Sequence, residues 1–111
     1  WGKTKNNYKQ KEKIIEIQKL KQDVLRDELE LTVKEIYYDL QRLVKVIDIQ
    51  KKRIEASKEA YEIDKVKYEK RSIEVDDFLK TENQLLENEI EYENLKSELY
   101  LKYEEYKDYI N

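Results

Sequence analysis

The sequence predicts an all-α protein, a long antiparallel coiled-coil helical hairpin with unequal arms, and three observations carry that prediction. Proline is absent and the one glycine is Gly2, so residues 3–111 lack the two strongest punctuators of helices. Charged residues make up 44% of the chain and hydrophobic ones 39%, too little apolar surface for a deep globular core, which favours long, thinly packed helices. Apolar side chains recur in the four-three rhythm of a coiled coil.

The first, long helix is expected over residues 1–70. From Leu29 its seam runs through Val33, Ile36, Leu40, Leu43, Ile47, Gln50, Ile54, Ser57, Tyr61, Asp64 and Tyr68, with polar gaps at Gln50, Ser57 and Asp64. A second stripe passes through Ile17, Val24, Leu31 and Tyr38, and another through Ile49, Ala56 and Ile63. More than one stripe implies a helix with neighbours on two sides, as in a bundle or a wall of helices.

The shorter return helix, expected over residues 77–111, carries Phe78, Leu85, Tyr92, Leu99 and Tyr106 at strict sevens, with Leu95, Tyr103 and Ile110 filling the intervening turns. The least patterned segment lies between, and residues 71–76 are the expected turn. A reversal near Ile73 pairs Tyr68 with Phe78, Tyr61 with Leu85, Ile54 with Tyr92 and Ile47 with Leu99. Further along it pairs Leu43 with Tyr103, Leu40 with Tyr106 and Ile36 with Ile110. The same rhythm runs through the turn without a clear phase break, so a single straight rod satisfies it equally. The hairpin leaves residues 1–35 unpaired although Ile14, Ile15, Ile17, Leu20, Val24, Leu25 and Leu29 lie there, which implies a partner outside this chain.

Charge divides the two segments. Residues 1–71 hold 19 basic and 14 acidic side chains, residues 72–111 hold 4 and 12, so the arms can lie together without repulsion. Lys3, Lys5, Lys9, Lys11 and Lys13 suggest a nucleic-acid arm, but Glu12 and Glu16 interrupt them and no aromatic ladder follows, so a solvated helix start and no nucleic acid are expected. Cys and His are absent, which excludes thiol and imidazole chemistry and the usual zinc ligands. The carboxylates alternate with lysines along helix faces as surface ion pairs, so neither an enzyme nor a cofactor is expected. No apolar run reaches the roughly 18–20 residues of a membrane span, so no direct membrane contact is expected, and Trp1-Gly2 without an initiating Met favours an excised part of a larger protein. The tyrosines Tyr61, Tyr68, Tyr92, Tyr103, Tyr106 and Tyr109 fall at or beside seam positions, as packing residues with wet hydroxyls.

Around the turn stand Tyr68, Arg71, Glu74, Asp77 and Leu79, approached by Ile54-Glu55-Ala56-Ser57-Lys58-Glu59-Ala60-Tyr61 and followed by Leu85-Leu86, Tyr92 and Leu95. With these the chain resembles the TolC-like outer-membrane efflux protein family, whose lower hairpin end carries Tyr, Gly, Ser or Thr, Asp and Leu at the same spacing. The Tyr, Asp and Leu are kept; Arg71 and Glu74 replace the Gly and the hydroxyl residue. Trp1-Gly2 resembles the segment leaving the membrane barrel. The resemblance implies the periplasmic tunnel of a homotrimeric outer-membrane channel for multidrug efflux or type I secretion. Its partners would be a periplasmic adaptor (membrane fusion) protein and an inner-membrane pump.

It further implies an adaptor-docking tip of Tyr68, Arg71, Ser72, Glu74, Asp77 and Leu79, and a candidate acidic ring at the pore entrance from Asp76 and Asp77. Asp77 has a plainer reading as a first-turn residue that stabilises the helix dipole. Lys80 and Ile73 occupy places where the family's gating side chains sit. In the family, Gly suits a left-handed residue past the first helix, and the hydroxyl residue with Asp forms a capping box for the second. Arg71 in that conformation costs about 1 kcal/mol relative to Gly, and Glu74 is a poorer cap than Ser, so Ser72 is an alternative cap for the turn. Two rival readings remain: a cytoplasmic or scaffold coiled coil forming a continuous dimeric rod, and the hairpin of an adaptor, which would need flanking lipoyl-like strands.

Overall fold

Helix-forming Lys, Glu, Gln, Leu and Ile dominate a proline-free chain, and the computed structural model accordingly describes residues 2–111 as two helices, α1 (Gly2–Glu69) and α2 (Val75–Ile110). Trp1, read above as part of a segment leaving a barrel, lies outside the described residues. The stretch through Glu35 forms one compact unit and Ile36–Asn111 a second. In the first, Ile14, Ile15, Ile17, Leu20, Val24, Leu25, Leu29 and Leu31 are all exposed.

The second unit is the hairpin, an all-α antiparallel pair, and the straight rod permitted by the same rhythm is not the fold. Residues 70–74 reverse the chain, and Val75 and Asp76, expected within the turn, instead begin α2. The seam is tightest away from the turn. There Leu43 is 1% exposed and packs with Ile47 and Leu95, flanked by Val46, Tyr92 and Leu99. Each such side chain contributes about 1.5 to 3 kcal/mol by leaving water. Toward the turn, Phe78 stacks on Tyr68 with ring centroids 5.0 Å apart and on Tyr61 at 5.6 Å.

Phe78 thus sits between two α1 residues seven apart, where one-to-one pairing with Tyr68 was expected. Asn88 does the same, reaching both Ser57 and Gln50. Seam residues of a coiled coil lodge in holes, so the expected one-to-one partners shift by about half a heptad. The shift continues outward: Tyr106, expected at Leu40, meets Tyr37 at 6.4 Å, and Ile110, expected on Ile36, is 53% exposed.

The three polar gaps of the α1 seam are filled by hydrogen bonds between the arms. Gln50, only 2% exposed, donates Nε2–H to the Asn88 backbone carbonyl at 3.0 Å and to its Oδ1 at 3.3 Å. Asn88 Nδ2 in turn donates to Ser57 Oγ at 2.6 Å, and the Thr81 hydroxyl donates to the Asp64 carboxylate. Among the described residues no buried side-chain polar atom lacks a partner, which removes the penalty that such groups would otherwise carry. Outside the seam, Arg42 meets Glu98 at 3.9 Å and Lys102 meets Asp39 at 3.5 Å, ion pairs joining the basic arm to the acidic one.

Candidate functional site

The hairpin tip is assembled by the way α1 ends. The Arg71 N–H donates to the Tyr68 carbonyl at 2.9 Å and the Ser72 N–H to the Lys67 carbonyl at 2.8 Å. Together these form a Schellman motif, which satisfies carbonyls that the helix end leaves open. The motif demands a left-handed residue, and Arg71 supplies it with φ 60, at the position where the family pattern carries glycine. Ser72 Oγ adds a second donor to the Lys67 carbonyl, at 2.9 Å. Ser72 is therefore a cap, but of the end of α1.

The residue that opens α2 is Glu74, extended at φ −75 and ψ 154, and its side chain makes no capping hydrogen bond to any described residue. Its carbonyl receives the Phe78 N–H at 3.2 Å. Asp76 and Asp77 follow in the first turn, where their charges face the positive end of the helix dipole. Asp77 also accepts the Thr81 hydroxyl on its backbone carbonyl at 3.2 Å.

All but one of the residues expected at the tip are solvent-facing. Tyr68 and Leu79 are 40% and 44% exposed, and Arg71, Ser72, Glu74, Asp76, Asp77 and Lys80 are exposed as well, whereas Ile73 is half-buried. The tip is a small bipolar surface: Lys67, Lys70 and Arg71 at the end of α1 stand beside Glu74, Asp76 and Asp77 at the start of α2. Among the described residues no cluster of metal-ligating side chains occurs, and no helix is long and apolar enough to cross a membrane.

Comparison with protein-family models, with curated proteins and with solved structures finds no match.

A second surface lies along the flanks of the hairpin. Outside the seam Ile49, Ile63, Leu86, Ile90 and Leu101 stay between 51% and 67% exposed. One flank forms an apolar groove lined by Leu40, Val44, Leu99, Tyr100 and Tyr103, with Lys96 at its edge. The stripes read from the sequence anticipate Ile49 and Ile63. Asn88 and Thr81 were not anticipated, though they stand at sevens with Leu95 and Lys102 and so share one helix face.

Proposed function

We propose that this hairpin is a wall element of a TolC-like outer-membrane channel for efflux or type I secretion, lying in the periplasm and meeting an adaptor protein at its tip. The observation that carries the reading is the apolar surface left over once the seam is closed. A free-standing two-helix scaffold needs one seam, and its outer faces are polar. Here Ile49, Ile63, Leu86, Ile90 and Leu101 remain exposed on faces turned away from the partner arm. Lateral helices in a closed palisade would bury them.

The tip supports the same reading. Arg71 adopts the left-handed conformation that the family assigns to glycine, and Asp77 keeps its place in the first turn of the return helix. In a trimer, copies of Asp76 and Asp77 would gather around the entrance and enrich cations there by Coulomb attraction. The inner-membrane pump would be reached through the adaptor.

The reading is tested in the host cell. The protein that carries this hairpin is expected to fractionate with the outer membrane, and its deletion to raise retention of a cationic dye such as ethidium. A cytosolic protein whose deletion leaves dye retention unchanged overturns it.

A further inference from the structure

The turn is written in residues that are content in a helix. Lys70-Arg71-Ser72-Ile73-Glu74 contains neither glycine nor proline. Arg71 holds a left-handed conformation that a β-carbon disfavours, and α2 starts at Glu74 without a side-chain cap. One rail of the seam runs across the gap at sevens, through Ser57, Asp64, Arg71, Phe78 and Leu85, while the other steps by one residue, from Tyr61 and Tyr68 on α1 to Thr81 and Asn88 on α2.

A chain straightened through residues 70–74 would be one helix with one rail of its seam continuous and the other stepped by a single residue, and each arm would lack its partner. A second copy laid antiparallel supplies the same partner, residues 36–69 of each chain lying on residues 75–110 of the other. Every cross-arm contact is then reproduced between chains: Phe78 on Tyr68 and Tyr61, Asn88 between Gln50 and Ser57, Leu95 against Leu43 and Ile47. Apart from the one-residue step, which a straightened helix absorbs by a local change of twist, the seam contacts are the same in the two arrangements. Their balance falls to the turn, which penalises the hairpin, and to the entropy of joining two chains, which penalises the dimer and fades as concentration rises.

We propose that the protein exchanges return arms with a second copy of itself, with residues 70–74 as the hinge. The proposal rests on the turn and the seam and not on the channel reading, so either can fail alone.

The chain contains no cysteine, which makes a cross-linking test clean. Arg42→Cys and Glu98→Cys, made in separate preparations, replace the exposed partners of a cross-arm ion pair. The two preparations are mixed, unfolded in denaturant, refolded together at high concentration and treated with a short bis-maleimide. Arm exchange gives a covalent 42-to-98 heterodimer whose yield rises with concentration. Adding Arg71→Gly to both chains should lower the dimer fraction read by light scattering, with roughly a tenfold or greater weakening of association, because glycine eases the left-handed turn and disfavours the continuous helix. Arg71→Ala should strengthen association. Circular dichroism confirms that all variants stay helical. A chain that remains monomeric at every concentration overturns the proposal, and so does a cross-linked product that Arg71→Gly leaves undiminished.

Discussion

Two halves of the hairpin use the same heptad positions for opposite chemistry. Away from the turn, one rail of seam positions is Ile36 and Leu43 on α1 with Leu95 on α2. Nearer the turn that rail becomes Gln50, Ser57 and Asp64 opposite Asn88 and Thr81. The other rail, from Leu40 to Tyr68 on α1 and from Phe78 to Leu99 on α2, stays apolar throughout. The outer half therefore draws stability from burial, which is non-directional. The inner half draws little net stability from its hydrogen bonds, but it penalises mispairing, because a buried amide facing an apolar neighbour loses its partners.

The largest effect should come from the outer half. Leu43→Ala removes the most buried side chain of the seam and is expected to cost about 3 kcal/mol in urea unfolding. If it costs less than any polar substitution below, the comparison of the halves is wrong. Next, Asn88→Ala removes the Oδ1 acceptor of Gln50 and the Nδ2 donor to Ser57 while keeping the backbone carbonyl that Gln50 also uses, and should cost about 1.5 kcal/mol. The double variant Gln50→Leu with Asn88→Leu removes both polar partners, and its unfolding midpoint should return to the wild-type value or pass it. A double variant as unstable as Asn88→Ala alone would show that packing, not hydrogen bonding, governs this layer. Thr81→Val, which removes one half-exposed hydroxyl beside Asp64, should cost about 1 kcal/mol.

The smallest effect is electrostatic. Glu105 foremost, with a hydrogen bond to Asp39, raises the Lys102 ammonium above the ordinary lysine value, while hydrogen bonds to Glu93 and Glu104 do the same for Lys96 and Lys107. A raised folded pKa means that folding favours the charged form. The stabilisation is fully present below the unfolded value of about 10.4 and is lost as pH rises through the folded one. All three groups face solvent, so screening keeps the effect small. Any unfolding difference between wild type and Lys102→Met should shrink above pH ~10.4 and in molar salt. A difference that persists under both conditions belongs to the lysine stem and not to its charge.

The helices and their unequal lengths were legible because the apolar rhythm is long and no proline or internal glycine interrupts it, whereas the site of reversal showed only as the weakly patterned residues 71–76, since the rhythm itself fits a straight rod equally. The half-heptad offset was not, since a repeat of seven fixes which face is buried and says nothing about whether Phe78 meets one tyrosine or two. Ser72 illustrates a second limit: a hydroxyl can accept from an N–H or donate to a carbonyl, and its position between two helix ends does not reveal which end it serves. Asn88 and Thr81 read as surface polar residues until the register brings them to Gln50 and Asp64. The turn was legible as a group of weakly patterned residues, of which Arg71, Ser72, Ile73 and Glu74 lie between the helices.

Asn88 also gives this hairpin a way to age. Asparagine is among the thermally labile side chains, and hydrolysis of its amide would replace the hydrogen donor facing Ser57 with an anion beside the enclosed Gln50. The Ser57 hydroxyl would then have to turn from accepting to donating, so one covalent change would reverse a hydrogen bond of the seam.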